Sequence, residues 1–219
     1  MSKAVRHERP LEARQTTAPL RRESPLVGRG LAARVSHQVE GKGVLAAERA
    51  FLGHLNLRGD PADAAFRKAA EGVLGLALPC EPNTVAEGNG LTVYWLCPSE
   101  WLVVTAPDAE AALAAKLRQA LAGQFAAVTE ISSGQTVLVL RGDKARELLA
   151  KGCPLDLHPR VFGPGQCAQT LIAKAPALIR PLADGGYEVV VRRSFADYLW
   201  HWLEHVADQN QYGLTVVAA

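Results

Sequence analysis

The four letters LRGD occur twice in this chain, at residues 57–60 and 140–143, each time at the end of an alternating apolar run. Alternation with a period of two is the mark of a half-buried strand. Glycine breaks it, and aspartate is a strong helix-start residue. The repeat therefore places the same strand-to-helix joint at two points. A second pair of joints lines up behind the first: EWLVVTAPDAEAALAAKL (residues 100–117) and YEVVVRRSFADYLWHWL (residues 187–203) both run from a strand into a helix. Chance explains one four-letter match; two joints in the same order restrict the chain to a duplicated fold. Reading RGD as an integrin-type adhesion tripeptide requires an exposed loop in a secreted protein, whereas the letters here fall at a strand-to-helix turn.

The period carries the rest of each half. Residues 54–58 alternate as a strand, Asp60 offers an N-cap, Pro61 suits the first helical position, and Ala65, Phe66, Ala69, Val73 and Leu74 form a helical stripe. Residues 91–96 and 101–105 are two strands about the turn Cys97-Pro98-Ser99-Glu100. Pro107 and Asp108 open a second helix with Leu113, Leu117 and Leu121 on one face; Gly123 ends it, and 125–131 is a strand. The order then recurs. Residues 136–140 are a strand, Gly142 breaks it, and Asp143 caps a helix containing Ala145, Leu148 and Leu149. After an irregular stretch, 168–173 and 178–182 read as strands, and 187–191 follows the turn Asp184-Gly185-Gly186. Ser194 is placed to cap a helix whose apolar positions are Phe195, Tyr198, Leu199, Trp202, Leu203 and Val206, and 214–217 closes the half as a strand. Each half reads as a split βαβ, ferredoxin-like βαββαβ unit. The expected fold class is α+β: tandem duplicated ferredoxin-like units at about 50–131 and about 134–217 within one globular unit, 36–219, with Asp60 and Asp143 at equivalent helix starts.

Charge separates the N-terminus from the rest. Residues 1–34 hold eight Lys or Arg against three Glu, so this segment is +5 in a chain of net charge +2, and the remainder is −3. Pro10, Pro19 and Pro25 discourage helix there, and residues 1–35 read as an extended basic arm. The arm lacks aromatic interleaving and any nucleic-acid motif, which favours a solvated tail or an arm for an acidic partner protein over a nucleic-acid contact. With 48% hydrophobic and 21% charged residues the composition is globular, and no apolar run approaches the roughly 20 residues that cross a bilayer. The N-terminus has no apolar core of a secretory signal, and Glu8, Glu12 and Glu23 argue against a mitochondrial presequence, so a cytoplasmic protein is expected. Cys80, Cys97, Cys153 and Cys167 are far apart, with no CxxC pair, and read as free thiols.

Several fragments carry the letters of catalytic motifs without their context. HWLEH at 201–205, with His201, Glu204 and His205, has the H-x-x-E-H order of inverted zinc peptidases, in which two His four apart on a helix share one metal. Only 14 residues follow, leaving little chain for a third ligand, and the apolar stripe already explains the helix. GRGLAA at 28–33 and GKGVLA at 41–46 fit a dinucleotide fingerprint, but neither lies between a strand and a helix of a parallel unit. No G-x-S-x-G elbow and no phosphate-binding GxxxxGK[ST] is present. Asp156 and His158 are either an acid/base pair or, with Arg160, an ion-pair cluster that shapes a loop. No catalytic, cofactor-binding or metal-binding residue is therefore assigned.

The stretches LNLRGD (55–60), SEWLVV (99–104), KGCPLDLHPRVFGPGQCAQT (151–170) and YEVVVRRSFADYLWHWL (187–203) together resemble the gamma subunits of heterotetrameric sarcosine oxidases, and Ser24-Pro25-Leu26 fits the start of that family. The resemblance implies a fold like the folate-binding region of aminomethyltransferases. It implies alpha, beta and delta partner chains in an enzyme that oxidises sarcosine to glycine, makes hydrogen peroxide and passes the one-carbon unit to tetrahydrofolate. FAD, covalent FMN and NAD then belong with alpha and beta, zinc with delta, and no cofactor with this chain. Two alternatives remain: a stand-alone folate-binding aminomethyltransferase-like protein, whose K-G-C-Y-x-G-Q-E motif KGCPLD enters at Lys151 and leaves at Pro154, and, more remotely, the zinc metallopeptidase of His201, Glu204 and His205.

The loop DLHPRVF then becomes the expected subunit interface. Pro154 and Pro159 stiffen its backbone, and arginine and aromatic residues are enriched at interface anchors. Arg160 and Phe162 are expected to dock against another chain, with His158 beside them and Asp156 fixing the loop.

Overall fold

The computed structural model describes residues 22–36 and 43–219. In chain order the elements are α1 (Leu31–Arg34), β1 (Val44–Arg49), β2 (Gly53–Arg58), α2 (Ala64–Leu74), β3 (Val85–Gly88), β4 (Leu91–Cys97), β5 (Glu100–Thr105), α3 (Glu110–Ala120), β6 (Ala127–Glu130), β7 (Gln135–Arg141), α4 (Ala145–Ala150), β8 (Ala168–Ile172), β9 (Ala175–Pro181), β10 (Tyr187–Arg192), α5 (Arg193–Gln209) and β11 (Leu214–Val216). They form an α+β fold with one five-stranded and one six-stranded sheet, ordered β3-β4-β5-β2-β6 and β11-β1-β7-β10-β9-β8.

Alternation along the strands makes four layers of these elements. In β5, Trp101 and Val103 pack with Phe66, Ala70 and Leu74 of α2 and Ala114 and Leu117 of α3. The intervening Leu102 and Val104 join Tyr94, Val137, Leu178 and Val190 in a layer shared by both sheets. In β10, Tyr187, Val189 and Val191 pack with Leu199, Trp200 and Leu203 of α5. The helices thus cover the outer faces and the two sheets meet through their inner ones. Trp101 illustrates the packing: it is fully buried, its ring stacks on Phe66 at 5.8 Å, and its indole donates to the Pro79 carbonyl at 2.8 Å. Burial of side chains of this size stabilises by about 1.5–3 kcal/mol each.

The two sheets share a core order. The neighbours β4-β5-β2 in one match β9-β10-β7 in the other, and β3 and β8 extend each beyond the matching strand. The fourth strand differs. β6 pairs directly with β2, antiparallel, whereas β11 is separated from β7 by β1. β1 is antiparallel to β7 (Ala46 opposite Leu140) and parallel to β11 (Leu45 opposite Thr215). The expected closing strand is present, but it closes onto β1 rather than onto β7 of its own half.

The helix starts also differ from the sequence reading. α2 begins at Ala64 with Asp63, not Asp60, as its cap: the Asp63 carboxylate accepts from the Ala65 amide at 2.8 Å, while Asp60 accepts from Ala62 in the preceding turn. α4 is capped by Lys144 and α5 by Arg192, neither through a side chain, so Asp143 and Ser194 do not cap. α3 starts at Glu110, after Asp108 has turned through φ 65°.

Residues 1–21 of the expected arm lie outside the described residues. From residue 22 the chain is not extended. It makes a 3-10 turn at Val27–Arg29 and then α1, folded against the second half. Leu26 is 1% exposed in the α5-side core. Arg29 pairs with Asp197 at 2.6 Å, and Arg34 with Glu204 at 2.6 Å. Pro25 precedes the turn rather than interrupting it, which is where proline is compatible with helical backbone.

Candidate functional site

Charged groups are expensive to bury, so those between the sheets were the first candidates for chemistry. Glu188 of β10 is 3% exposed and Arg180 of β9 is 4% exposed. Arg180 Nε donates to Glu188 Oε1 at 2.9 Å, and its other arm pairs with Glu87 of β3 at 2.7 Å. Arg49 of β1 reaches Glu188 Oε2 at 2.7 Å, and the fully buried Tyr94 hydroxyl of β4 donates to Glu188 Oε1. Burial alone pushes the Glu188 carboxyl up, but Arg180 beside it overrides that and holds it below the usual range. Burial and the Glu188 charge raise the Tyr94 phenol well above its ordinary value. Both carboxylate oxygens of Glu188 are therefore occupied. The cluster fastens β1, β9 and β10 of one sheet to β3 and β4 of the other.

His54 of β2 is 1% exposed, and neither ring nitrogen has a hydrogen-bond partner among the described residues. Burial pulls its pKa down to about 4, against the Glu188 and Glu110 charges, so the ring is neutral. The buried Cys167 thiol is pushed up to about 11 by burial, the opposite of an activated nucleophile.

A cleft of about 580 Å³ opens where the sheets diverge, between Asn56 and Arg58 of β2 and Val190 and Arg192 of β10. Its acid, Glu100, is held by Asn56 and Arg58, each at 2.7 Å.

The sequence motifs fall elsewhere. His201 and His205 stack with ring centroids 6.4 Å apart on the exposed face of α5. Glu204 accepts from Trp200 Nε1 at 2.9 Å and pairs with Arg34, so it does not act with them. Among the described residues, no group of three His, Cys, Asp or Glu side chains has metal-binding geometry. In the loop, the Asp156 carboxylate accepts from the His158 amide at 2.9 Å, and His158 Nδ1 from the Arg160 amide at 3.2 Å. The Tyr187 hydroxyl donates to the Leu157 carbonyl at 3.1 Å. His158 and Arg160 are exposed, but Phe162 is 8% exposed and belongs to the α5-side core. The apolar residue this loop presents to solvent is its neighbour Val161. The inter-sheet cluster was missed by sequence reading, although a signal for it exists: Glu188 in YEVVV and Arg180 in LIRPL are lone charges inside otherwise apolar strands.

Two sheets facing each other, helices outside, and buried charges spent on joining the sheets define a two-sheet α+β scaffold. The fold is similar to that of aminomethyltransferase T of the glycine cleavage system from Bartonella henselae, with a TM-score of 0.62 at 14% identity over 88% of this chain and 58% of that one. Sequence narrows the class. Residues 58–209 match the family described as "Sarcosine oxidase, gamma subunit family". Sarcosine oxidase subunit gamma of Corynebacterium sp. (strain P-1) is 36% identical over 157 residues, covering 71% of this chain and 76% of that protein. The same subunit of Corynebacterium sp. (strain U-96) is 32% identical over 183 residues, covering 83% and 88%. A chain of the heterotetrameric sarcosine oxidase from Corynebacterium sp. U-96 in complex with pyrrole 2-carboxylate matches with a TM-score of 0.75 at 31% identity, over 86% of this chain and 95% of that one. The chain belongs to the sarcosine oxidase gamma subunit family.

Proposed function

We propose that this chain is the gamma subunit of a heterotetrameric sarcosine oxidase, in which it is a structural and assembly chain without chemistry of its own. The observation that carries the second part is the use made of its inter-sheet charges: Glu188, Arg180 and Tyr94 satisfy one another between the sheets, so these buried groups hold the fold together rather than facing a substrate. The partners are alpha, beta and delta chains. FAD, covalent FMN and NAD are assigned to alpha and beta and zinc to delta, and the assembly demethylates sarcosine to glycine with hydrogen peroxide and one-carbon transfer to tetrahydrofolate. The location is cytoplasmic. Among the described residues no helix is long and apolar enough to cross a membrane.

Docking is assigned to the loop of Asp156, His158 and Arg160. Phe162 roots it in the core, Asp156 shapes its turn, and His158, Arg160 and Val161 face outward. A loop held by a rigid scaffold is suited to recognition.

The test is expression alone and with the other subunits. The isolated chain is expected to be colourless and to make no peroxide from sarcosine, and to co-purify with three partners when they are present. Stoichiometric flavin or turnover in the isolated chain defeats the non-catalytic assignment; failure to co-purify defeats the subunit assignment. Folate titration of the isolated chain separates the stand-alone folate-binding reading, which requires saturation.

A further inference from the structure

A cavity of about 450 Å³ lies where the start of β2, the first turn of α3 and the turn Ser132–Gly134 come together beneath the docked N-terminal segment. Its walls have too many hydrogen-bond acceptors. Glu110 is 8% exposed, and its Oε2 is buried without a partner among the described residues. Gln135 also lines the cavity, and its Oε1 is likewise buried without one. Glu23 and Glu130, both exposed, add acidic residues to the lining.

The cavity's own cations do not balance this. Arg22 pairs with Asp108 and lies 5.2 Å over the Phe51 ring, while Arg193 donates to the Glu23 carbonyl at 3.0 Å. Phe51 adopts φ 65°, a strained conformation for an aromatic residue, with its half-exposed ring in the cavity wall. With Arg22 already over the Phe51 ring, the unpaired buried acceptors are what remain, and they suit a cation that carries N–H groups. Neither an anion nor an acceptor-only molecule satisfies Glu110 and Gln135.

We propose that this cavity binds a primary ammonium or guanidinium head group, with Glu110 and Gln135 as its acceptors. Two sources present that chemistry: a free small amine, or a basic side chain of another subunit.

Titration calorimetry of the full chain with methylammonium chloride, against tetramethylammonium chloride at equal ionic strength, tests it. Methylammonium is expected to saturate one site. Tetramethylammonium, which has the charge but no N–H, is expected to bind at least tenfold more weakly. Glu110→Gln and Gln135→Leu are each expected to weaken methylammonium at least tenfold without lowering the melting temperature. If Glu110→Gln does not fold, Gln135→Leu decides. The same titration on the assembled complex identifies the source. Persistent binding means a free amine; binding lost on assembly, with poorer assembly of Glu110→Gln, means a partner side chain. The first titration needs no partner, so it stands even if the subunit assignment fails. No saturation by methylammonium, equal binding of tetramethylammonium, or indifference to both substitutions overturns the proposal.

Discussion

The same four letters end one strand in each half of this protein, and the two aspartates do different work. In the first half Asp60 closes a local turn, bonding the Ala62 amide two residues away, and Gly59 lets the ring of Phe66 press against the backbone. In the second half Asp143 accepts from the Gly43 amide at 2.6 Å, 100 residues away, and Lys144 donates from its own amide to the Gly43 carbonyl at 3.1 Å. Gly142, at φ 95°, lets that carbonyl approach so closely that a Cβ would lie 2.3 Å from it. One joint makes a local turn ahead of α2; the other holds β1. The difference teaches that where two sheets share a strand order, a matching position is free to change partner once another segment offers a better one. Here the inserted β1 does so, displacing β11 outward by one strand.

The largest effect is expected where the halves are joined unequally. The second half supplies Glu188 and Arg180, the first half a phenol and the exposed Glu87. Glu188→Gln leaves Arg180 without its buried counter-charge and is expected to cost about 3–5 kcal/mol in urea unfolding. Tyr94→Phe removes one donor from a carboxylate that keeps Arg180 and Arg49, and is expected to cost about 1–2 kcal/mol. Equal losses would show that both halves hold the seam alike and break the comparison.

Acid probes the same seam from the first half. The folded pKa of His54 is about 4 against an ordinary 6.5, so the unfolded chain binds more protons between these values. The contribution is complete above pH 6.5 and is lost as pH falls toward 4, on the order of 3 kcal/mol in all. Glu188, whose pKa is lowered, adds stability that is lost only as pH falls below the ordinary carboxylate range. A melting temperature falling from pH 6.5 to 4.5 in the natural chain, and nearly flat over that interval in His54→Leu, is the expected result. An equal fall in the variant would assign the acid sensitivity elsewhere.

The repeated joint gives a smaller contrast. Asp143→Ala removes the bond that anchors the start of β1 and is expected to cost about 1–2 kcal/mol, with faster amide exchange in residues 44–46. Asp60→Ala loses a turn bond while Asp63 still caps α2, a cost of about 0.5 kcal/mol or less. Equal costs would mean that the insertion of β1 did not change what the joint does. The smallest effect on stability belongs to Arg160→Ala in the exposed loop: an unchanged melting temperature together with weakened recovery of the partner subunits. Intact assembly, or loss by unfolding, makes the loop purely structural.

Much of the architecture was legible because local period records which face of an element is apolar. The stripes of Phe66 and Leu74 and of Leu199 and Leu203 lie inward as read, and the hairpin around Pro98 is present. β1 was not legible for the same reason. Val44 and Ala46 are buried on one face and Ala47 on the other, so its VLAAER is apolar at four successive positions and has no alternation to detect. The helix starts slipped because several capping residues compete within two or three positions, and Asp63 rather than Asp60 meets a free amide. The absence of an assigned catalytic residue followed from motifs without context. The pairing of Glu188 with Arg180, Tyr94 and Arg49 was out of reach, since nothing near Glu188 in the chain identifies a tyrosine 94 residues earlier.

The sequence by itself determined most of the strands and helices after residue 53, the faces the long helices bury, the repeated LRGD letters and the family, since each is written in short-range spacing or in contiguous matching stretches. Tertiary structure alone decided that β1 enters the six-stranded sheet, that Asp143 holds it, that His54 is sealed away neutral, and that Glu110 and Gln135 line one cavity with a side-chain oxygen unpartnered among the described residues. Those outcomes depend on which edge a distant strand reaches and which polar groups then lose their water. Both are fixed only when segments far apart in the chain compete for the same surface.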